Sequence, residues 1–219
     1  MFGKKLPAAV LWDMDGTLVD SEEYWLSSEQ SLAIEHSGNW SERDGLDLIG
    51  MSLYESTKIM KAKIGIDLEP EQIIEKLTDS VSAKLAVAIP WRPGAQELLR
   101  ELRAKGIKTA LVTMSMHRMA QQVADQIPFD AFDVVVAGDD VTHGKPHPEP
   151  YLRACELLGV RPQDCVAFED SLTGLLSAEA AGTKAVGVTN IVPLPPADGR
   201  IIWPTLAGVR VKDLKKLFK

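Results

Sequence analysis

Apolar residues run unbroken through Ala8-Ala9-Val10-Leu11-Trp12 and stop at Asp13. A short apolar run that ends in polar residues predicts a strand buried on both faces, as in a parallel sheet. From Ser21 to about Ala88 no clear strand pattern occurs. Leu53, Thr57, Met60 and Ile64 share the spacing of one helix face, and Ile74, Leu77, Val81 and Leu85 that of another, with Pro70 near its start. Asp20 or Ser21 can cap the first helix of this stretch, and Glu23, three residues after Asp20, resembles a capping box. Strands and helices then alternate. Ala95, Leu98, Leu99 and Leu102 mark a helix that Gly106 ends, and Ile107 to Val112 reads as a strand. Ser115 can cap a helix that buries Met116, Met119, Ala120, Val123 and Ile127, with Pro128 closing it. A third strand lies in 133–137. Pro148 then opens a helix carrying Tyr151, Leu152, Cys155 and Leu158. Cys165 to Phe168 is a fourth strand, Leu172, Leu175 and Leu176 begin a helix stopped at Gly182, and Lys184 to Val188 is a fifth strand. Beyond Pro193–Pro196, Val211, Leu214, Leu217 and Phe218 predict a short docking helix.

Such alternation predicts an α/β fold: a doubly wound, Rossmann-like parallel sheet core with a small helical insertion after the first strand. The expected division places 1–19 and 91–219 in the core and 20–90 in the insertion. Its junctions, Val19–Ser21 and Pro90–Gly94, read as hinges or as a rigid proline-rich linker.

Composition narrows the class. Over 219 residues, 45% hydrophobic and 25% charged side chains are ordinary for a soluble globular protein. A net charge of −7 speaks against nucleic-acid or anionic-membrane binding, though not against a phosphorylated substrate held by a metal and local cations. Cys155 and Cys165 fall in apolar patterns and read as reduced, buried thiols. No signal peptide and no run long enough to span a bilayer is evident. A cytoplasmic monomer is the expectation.

The chemistry gathers at strand ends. Asp13 and Asp15, two apart on extended chain, can project to one side, and Gly16 permits a sharp turn. Adjacent carboxylates repel, and a hard cation such as Mg²⁺ between them relieves it. The plainer reading is a strand-to-helix turn with Asp15 or Asp20 as a cap. Thr113 follows the second strand, Lys145 the third and Glu169-Asp170 the fourth. Alone, Thr113 is an ordinary strand-end residue, Lys145 a loop cation and Glu169-Asp170 a helix start favoured by the dipole. Together they lie at carboxyl ends of parallel strands, where open sheets bind ligands.

Asp13-Met14-Asp15-Gly16-Thr17, Thr113, Lys145 before Pro146, and Phe168-Glu169-Asp170-Ser171 with Gly174 resemble, in order, the four motifs of the haloacid dehalogenase-like hydrolase superfamily. The resemblance spans nearly the whole chain and points to the subfamily with a helical cap inserted after the first motif. It implies Asp13 as nucleophile through an aspartyl-phosphate and Asp15 as general acid and then base. It also implies Thr113 on a phosphoryl oxygen and Lys145 as neutralising cation. Mg²⁺ would be held by the Asp13 carboxylate, the Asp15 carbonyl and Asp170, with Glu169 on the ion or just behind it. The cations matter: a carboxylate meeting a phosphate at roughly 4 Å faces about 4 kcal/mol of repulsion per charge pair.

Dehalogenation is disfavoured because that branch lacks the second aspartate, here Asp15. The nearer rival is β-phosphoglucomutase. Its cap histidine is replaced here by Trp25, after Tyr24, and its distal-phosphate arginine by Leu53. A phosphatase acting on a small phosphorylated metabolite, such as a sugar phosphate, is therefore expected. A binding module without turnover is disfavoured by Asp13, Asp15, Lys145 and Asp170 together. Arg43, Lys58, Lys61, Lys76 and Lys84 are candidate substrate contacts from the cap, and Trp25, Trp40 and Trp91 either line its interface or pack a core. His117, His143 and His147 are expected at the surface rather than on the metal.

Overall fold

In the computed structural model, which describes residues 5–218, a six-stranded sheet runs in the order β3-β2-β1-β4-β5-β6. The strands are β1 Ala9–Trp12, β2 Lys108–Val112, β3 Val134–Val136, β4 Cys165–Glu169, β5 Lys184–Val188 and β6 Ile201–Trp203. Every neighbouring pair is parallel. This strand order reverses direction on either side of β1, the place where doubly wound sheets open a binding crevice.

Alternate side chains of each strand enter opposite layers. Val10, Trp12, Leu111, Val166 and Phe168 pack one face with Leu98, Leu99 and Leu102 of α5 (Ala95–Ala104), Met119, Ala120 and Val123 of α6 (His117–Asp125), and Leu214 of α9 (Val211–Leu214). Ala9, Leu11, Ala110, Val112 and Ala167 pack the other face with α7 (Glu149–Leu158) and α8 (Leu172–Ala180). Cys155 and Cys165 are free and buried in this second layer. Among the described residues no helix is long and apolar enough to cross a membrane.

Between β1 and α5 lie four helices: α1 Glu22–Glu35, α2 Glu42–Leu46, α3 Leu53–Ile64 and α4 Pro70–Val87. They share an apolar cluster of their own that includes Leu32, Trp40, Met60, Ile73 and Leu77. The chain enters and leaves this cap side by side. Asp20 N–H donates to Pro90 O (2.7 Å) and Arg92 N–H to Leu18 O (3.0 Å), with Val19 bridged to Trp91. Val81 and Leu85 at the far end of α4 join the core cluster rather than the cap's own. Arg118 of α6 pairs with Glu75 (2.9 Å) and Asp79 (2.7 Å) of α4.

Several local expectations change. α4 buries Ile73 and Thr78 beside Leu77, Val81 and Leu85, while Ile74 is only half-buried. Leu152, Leu172 and Leu176 are exposed, and Ala154, Leu175 and Ala178 take the buried positions. The segment after β5 supplies a sixth strand that its short apolar pattern did not announce. Neither Ser21 nor Ser115 caps a helix: the caps of α1 and α6 carry no side-chain bond, and both hydroxyls serve Asp15 instead.

Candidate active site

The register of the sheet assembles the site. Trp12 of β1 lies opposite Phe168 of β4 and Leu111 of β2. The next residues along, Asp13, Glu169 and Val112, therefore end their strands together. Asp13 N–H donates to Phe168 O (3.1 Å), which holds the nucleophile candidate at the sheet edge.

Lys145 arrives from the loop after β3. Its ammonium donates to Asp13 Oδ1 (2.7 Å) and Val112 O (2.9 Å) and pairs with Glu169 Oε1 (2.7 Å). Lys145 is 7% exposed and Glu169 fully buried, so both charges lie out of water and must be compensated locally. Burial opposes the ammonium, but the charges of Asp13 and Glu169 outweigh it and hold the Lys145 pKa above its ordinary value. The same Glu169 Oε1 accepts from Tyr151 Oη (2.5 Å). Burial first, and then the Glu169 charge, raise the Tyr151 phenol well above its usual range, so it stays a donor.

Asp13, Glu169 and Asp170 each offer a carboxylate oxygen within 4.8 Å of the others. Burial, followed by the neighbouring Glu169 charge, raises Asp13 to about 7 despite Lys145. Burial, with Asp13 and Glu169, also raises Asp170. Asp13 Oδ2 and Glu169 Oε2 are buried with no hydrogen-bond partner. Two orphaned anionic oxygens in a crowded acidic site fit a hard cation. Gly16 makes room beside it: at φ +82°, an added Cβ would lie 1.9 Å from Asp170 Oδ2. Gly174 does the same for Glu169, whose carboxylate carbon would meet a Cβ at 2.0 Å. Thr17 Oγ1 (3.5 Å) and Asn190 Nδ2 (3.4 Å) donate to Asp170.

Asp15 has a different environment. Its Oδ1 accepts from Ser21 Oγ (2.5 Å) and Trp25 Nε1 (2.9 Å), and its Oδ2 from Thr113 Oγ1 (3.3 Å) and Ser115 Oγ (2.7 Å). Four donors orient one carboxylate, while the neighbouring aspartate is paired to an ammonium. Such divergent environments are how one site equips two like groups for different tasks.

Asp13, Asp15, Thr113, Lys145 and Asp170 all line one open cleft. Glu169 stands behind them. The cap closes the other side with Glu22, Trp25, Glu29, Leu48, Met51 and Leu53. Sequence reasoning missed Ser21, Ser115, Tyr151, Glu22 and Glu29 as site residues. A signal existed: Glu22, Trp25 and Glu29 are spaced i, i+3, i+7, one face of α1. The cap cations do not reach the cleft. Arg43 pairs with Asp47 (3.0 Å), Lys58 with Glu55 (2.8 Å), Lys61 with Glu69 (3.1 Å) and Lys76 with Glu35 (2.9 Å). Lys84 is tied to Ser27 (2.8 Å) and Ser28 (2.6 Å). Trp40 sits in the cap core, bonded to Glu29 (2.9 Å). His117, His143 and His147 are exposed or partly so, the first two paired to Asp140 (2.6 Å) and Glu149 (2.9 Å).

Comparison with known proteins places the chain in a family. A family model for haloacid dehalogenase-like hydrolases matches residues 7–182. The chain is 31% identical over 179 residues to a phosphorylated carbohydrates phosphatase of Thermotoga maritima, covering 81% of this chain and 83% of that one. It is 28% identical over 193 residues to a bifunctional riboflavin kinase/FMN phosphatase of Arabidopsis thaliana, across 86% of this chain but spanning only 50% of that protein. CbbY from Rhodobacter sphaeroides, solved in complex with phosphate, superimposes with a TM-score of 0.85 at 25% identity, over 93% of this chain and 96% of that one. Matched along most of its length and carrying the four strand-end motifs in one cleft, the chain belongs to the haloacid dehalogenase-like hydrolase family and is an enzyme.

Proposed function

We propose that the protein is a Mg²⁺-dependent phosphatase of a small phosphomonoester, a sugar phosphate being the leading case, acting through an aspartyl-phosphate on Asp13. The observation that carries this reading is the contrast between two neighbouring carboxylates. Asp13 is held by Lys145, and Asp15 by four hydrogen-bond donors. An Asp13 oxygen attacks phosphorus, the bond from phosphorus to the substrate oxygen breaks, and Asp15, entering this step protonated with a neighbouring hydroxyl turned from donor to acceptor, gives the departing alkoxide its proton. Asp15 then takes a proton from water as that water attacks phosphorus, which frees Asp13 and inorganic phosphate. Lys145 offsets charge between nucleophile and phosphoryl group, and Thr113 can donate to a phosphoryl oxygen. The Asp13 and Asp170 carboxylates and the Asp15 carbonyl would hold the metal, with Glu169 supporting; when bound, it neutralises charge on the transferring phosphoryl group. The division into a core of 1–19 and 91–219 and a cap of 20–90 belongs to the same proposal, with the cap excluding water and placing the leaving group.

The mutase reading is weaker. At the position of the mutase's histidine, Trp25 donates an indole N–H to Asp15 and has no titratable nitrogen to exchange a proton. Leu53 brings an apolar side chain to the cleft where a distal phosphate would need a cation.

The test is phosphate release from a panel of phosphomonoesters with Mg²⁺, including β-glucose 1-phosphate, with glucose 6-phosphate followed in the same tubes. Phosphate release that stops with EDTA and returns with Mg²⁺ is the expected result. Glucose 6-phosphate forming without phosphate release would install the mutase, and full activity without metal would remove the cation from the site.

A further inference from the structure

Charge in the cleft is one-sided. Among the described residues that line it, five are carboxylic acids (Asp13, Asp15, Glu22, Glu29 and Asp170) and one, Lys145, is a cation. Lys145 is already committed to Asp13 and Glu169 at 2.7 Å each. A metal and Lys145 can serve the phosphoryl group being transferred. Neither stands at the cap side, where the rest of the substrate must lie. There the wall is Glu22, Trp25 and Glu29 of α1 together with apolar Leu48, Met51 and Leu53. The basic residues of the cap are turned to partners elsewhere, as described above.

We infer that the enzyme takes substrates whose leaving group is an uncharged, hydroxyl-bearing alcohol, and that the acidic cap wall led by Glu22 excludes leaving groups carrying a second anion. This rests on the phosphatase reading and narrows it. A second phosphate or a carboxylate at the cap end would be desolvated among like charges with no cation in reach. Hydroxyl groups meet no such penalty, because they donate hydrogen bonds to carboxyl oxygens. Glu22 lines this wall with no hydrogen-bond partner among the described residues, so no cation stands beside it to receive an anionic substrate end. The apolar residues give the carbon chain a surface.

The experiment uses matched pairs on the wild-type enzyme with Mg²⁺: glycerol 3-phosphate against 3-phosphoglycerate, and sorbitol 6-phosphate against 6-phosphogluconate. Each pair differs chiefly by a CH₂OH in place of a carboxylate. The expected result is kcat/KM at least about tenfold higher for the alcohol member of each pair. Glu22→Lys, which adds the missing cation, should narrow that ratio by about tenfold, mainly through KM of the acid member. Equal or better hydrolysis of the acid members, or a ratio unmoved in a folded Glu22→Lys protein, would overturn the inference. Hydrolysis of p-nitrophenyl phosphate in the same assays separates the two levels. Its absence would count against the phosphatase reading itself, whereas its presence with the acids preferred would sink only the charge rule.

Discussion

Asp15 accepts from four donors on two parts of the chain: Ser21 and Trp25 from the start of the cap, and Thr113 and Ser115 from the end of β2. A group acting as the acid matters most when the leaving alkoxide is a strong base. Asp15→Ala should therefore cost most on alkyl phosphates and least on p-nitrophenyl phosphate, read as kcat/KM on both; equal losses would argue against the role. Glu22 allows a pH test. Its folded pKa of about 8 lies above the ordinary 4.5, so its protonation contributes stability that is complete below 4.5 and lost as pH rises through 8. Glu22→Gln removes that dependence. In metal-free protein its stability relative to wild type should rise between about pH 5 and about pH 9 in urea titrations; a difference that stays flat would contradict the assignment. Residues of this kind were hidden in the sequence for a definite reason. Ser21 stands at the cap of α1 and Ser115 one residue before that of α6, and a serine gives no sign whether its hydroxyl turns to the backbone or to a carboxylate six or a hundred residues away.

The elements themselves were legible wherever burial imposed a period. β1, β4 and β5 are continuous apolar runs because helices cover both faces of the sheet. β6 escaped because it is three residues long, half-buried at the sheet edge, and follows a loop rich in proline. α4 shows what a face alone cannot tell. Its stripe is continuous, yet Ile73 and Leu77 fill the cap cluster while Val81 and Leu85 enter the core. The helix thus works as a strut between the two. Leu85→Ala should cost about 2–5 kcal/mol of stability in denaturant titrations, as a buried leucine in a packed interior does. A cost near zero would mean that the lower end of α4 does not seat on the core.

Across the whole molecule, the sheet order explains why four short motifs far apart in sequence could be read as one site. Chain reversal on either side of β1 brings the ends of β1, β2 and β4 together, and the loop after β3 reaches in with Lys145. The strand ends were foreseeable because parallel strands present their carboxyl ends on one edge. The acidic cap wall was not, since it depends on how α1 is rotated over the sheet. Neither was the idleness of the cap lysines: Lys76 and Lys84 meet Glu35, Ser27 and Ser28, partners that only folding brings close. The central claim is that Asp13 is the nucleophile of this assembly. It is tested most directly by steady-state phosphate release from purified Asp13→Asn beside wild type, with far-UV circular dichroism and thermal unfolding to confirm the fold. The account predicts a folded protein with turnover reduced at least about a thousandfold. A folded Asp13→Asn that keeps activity within about tenfold of wild type would contradict it.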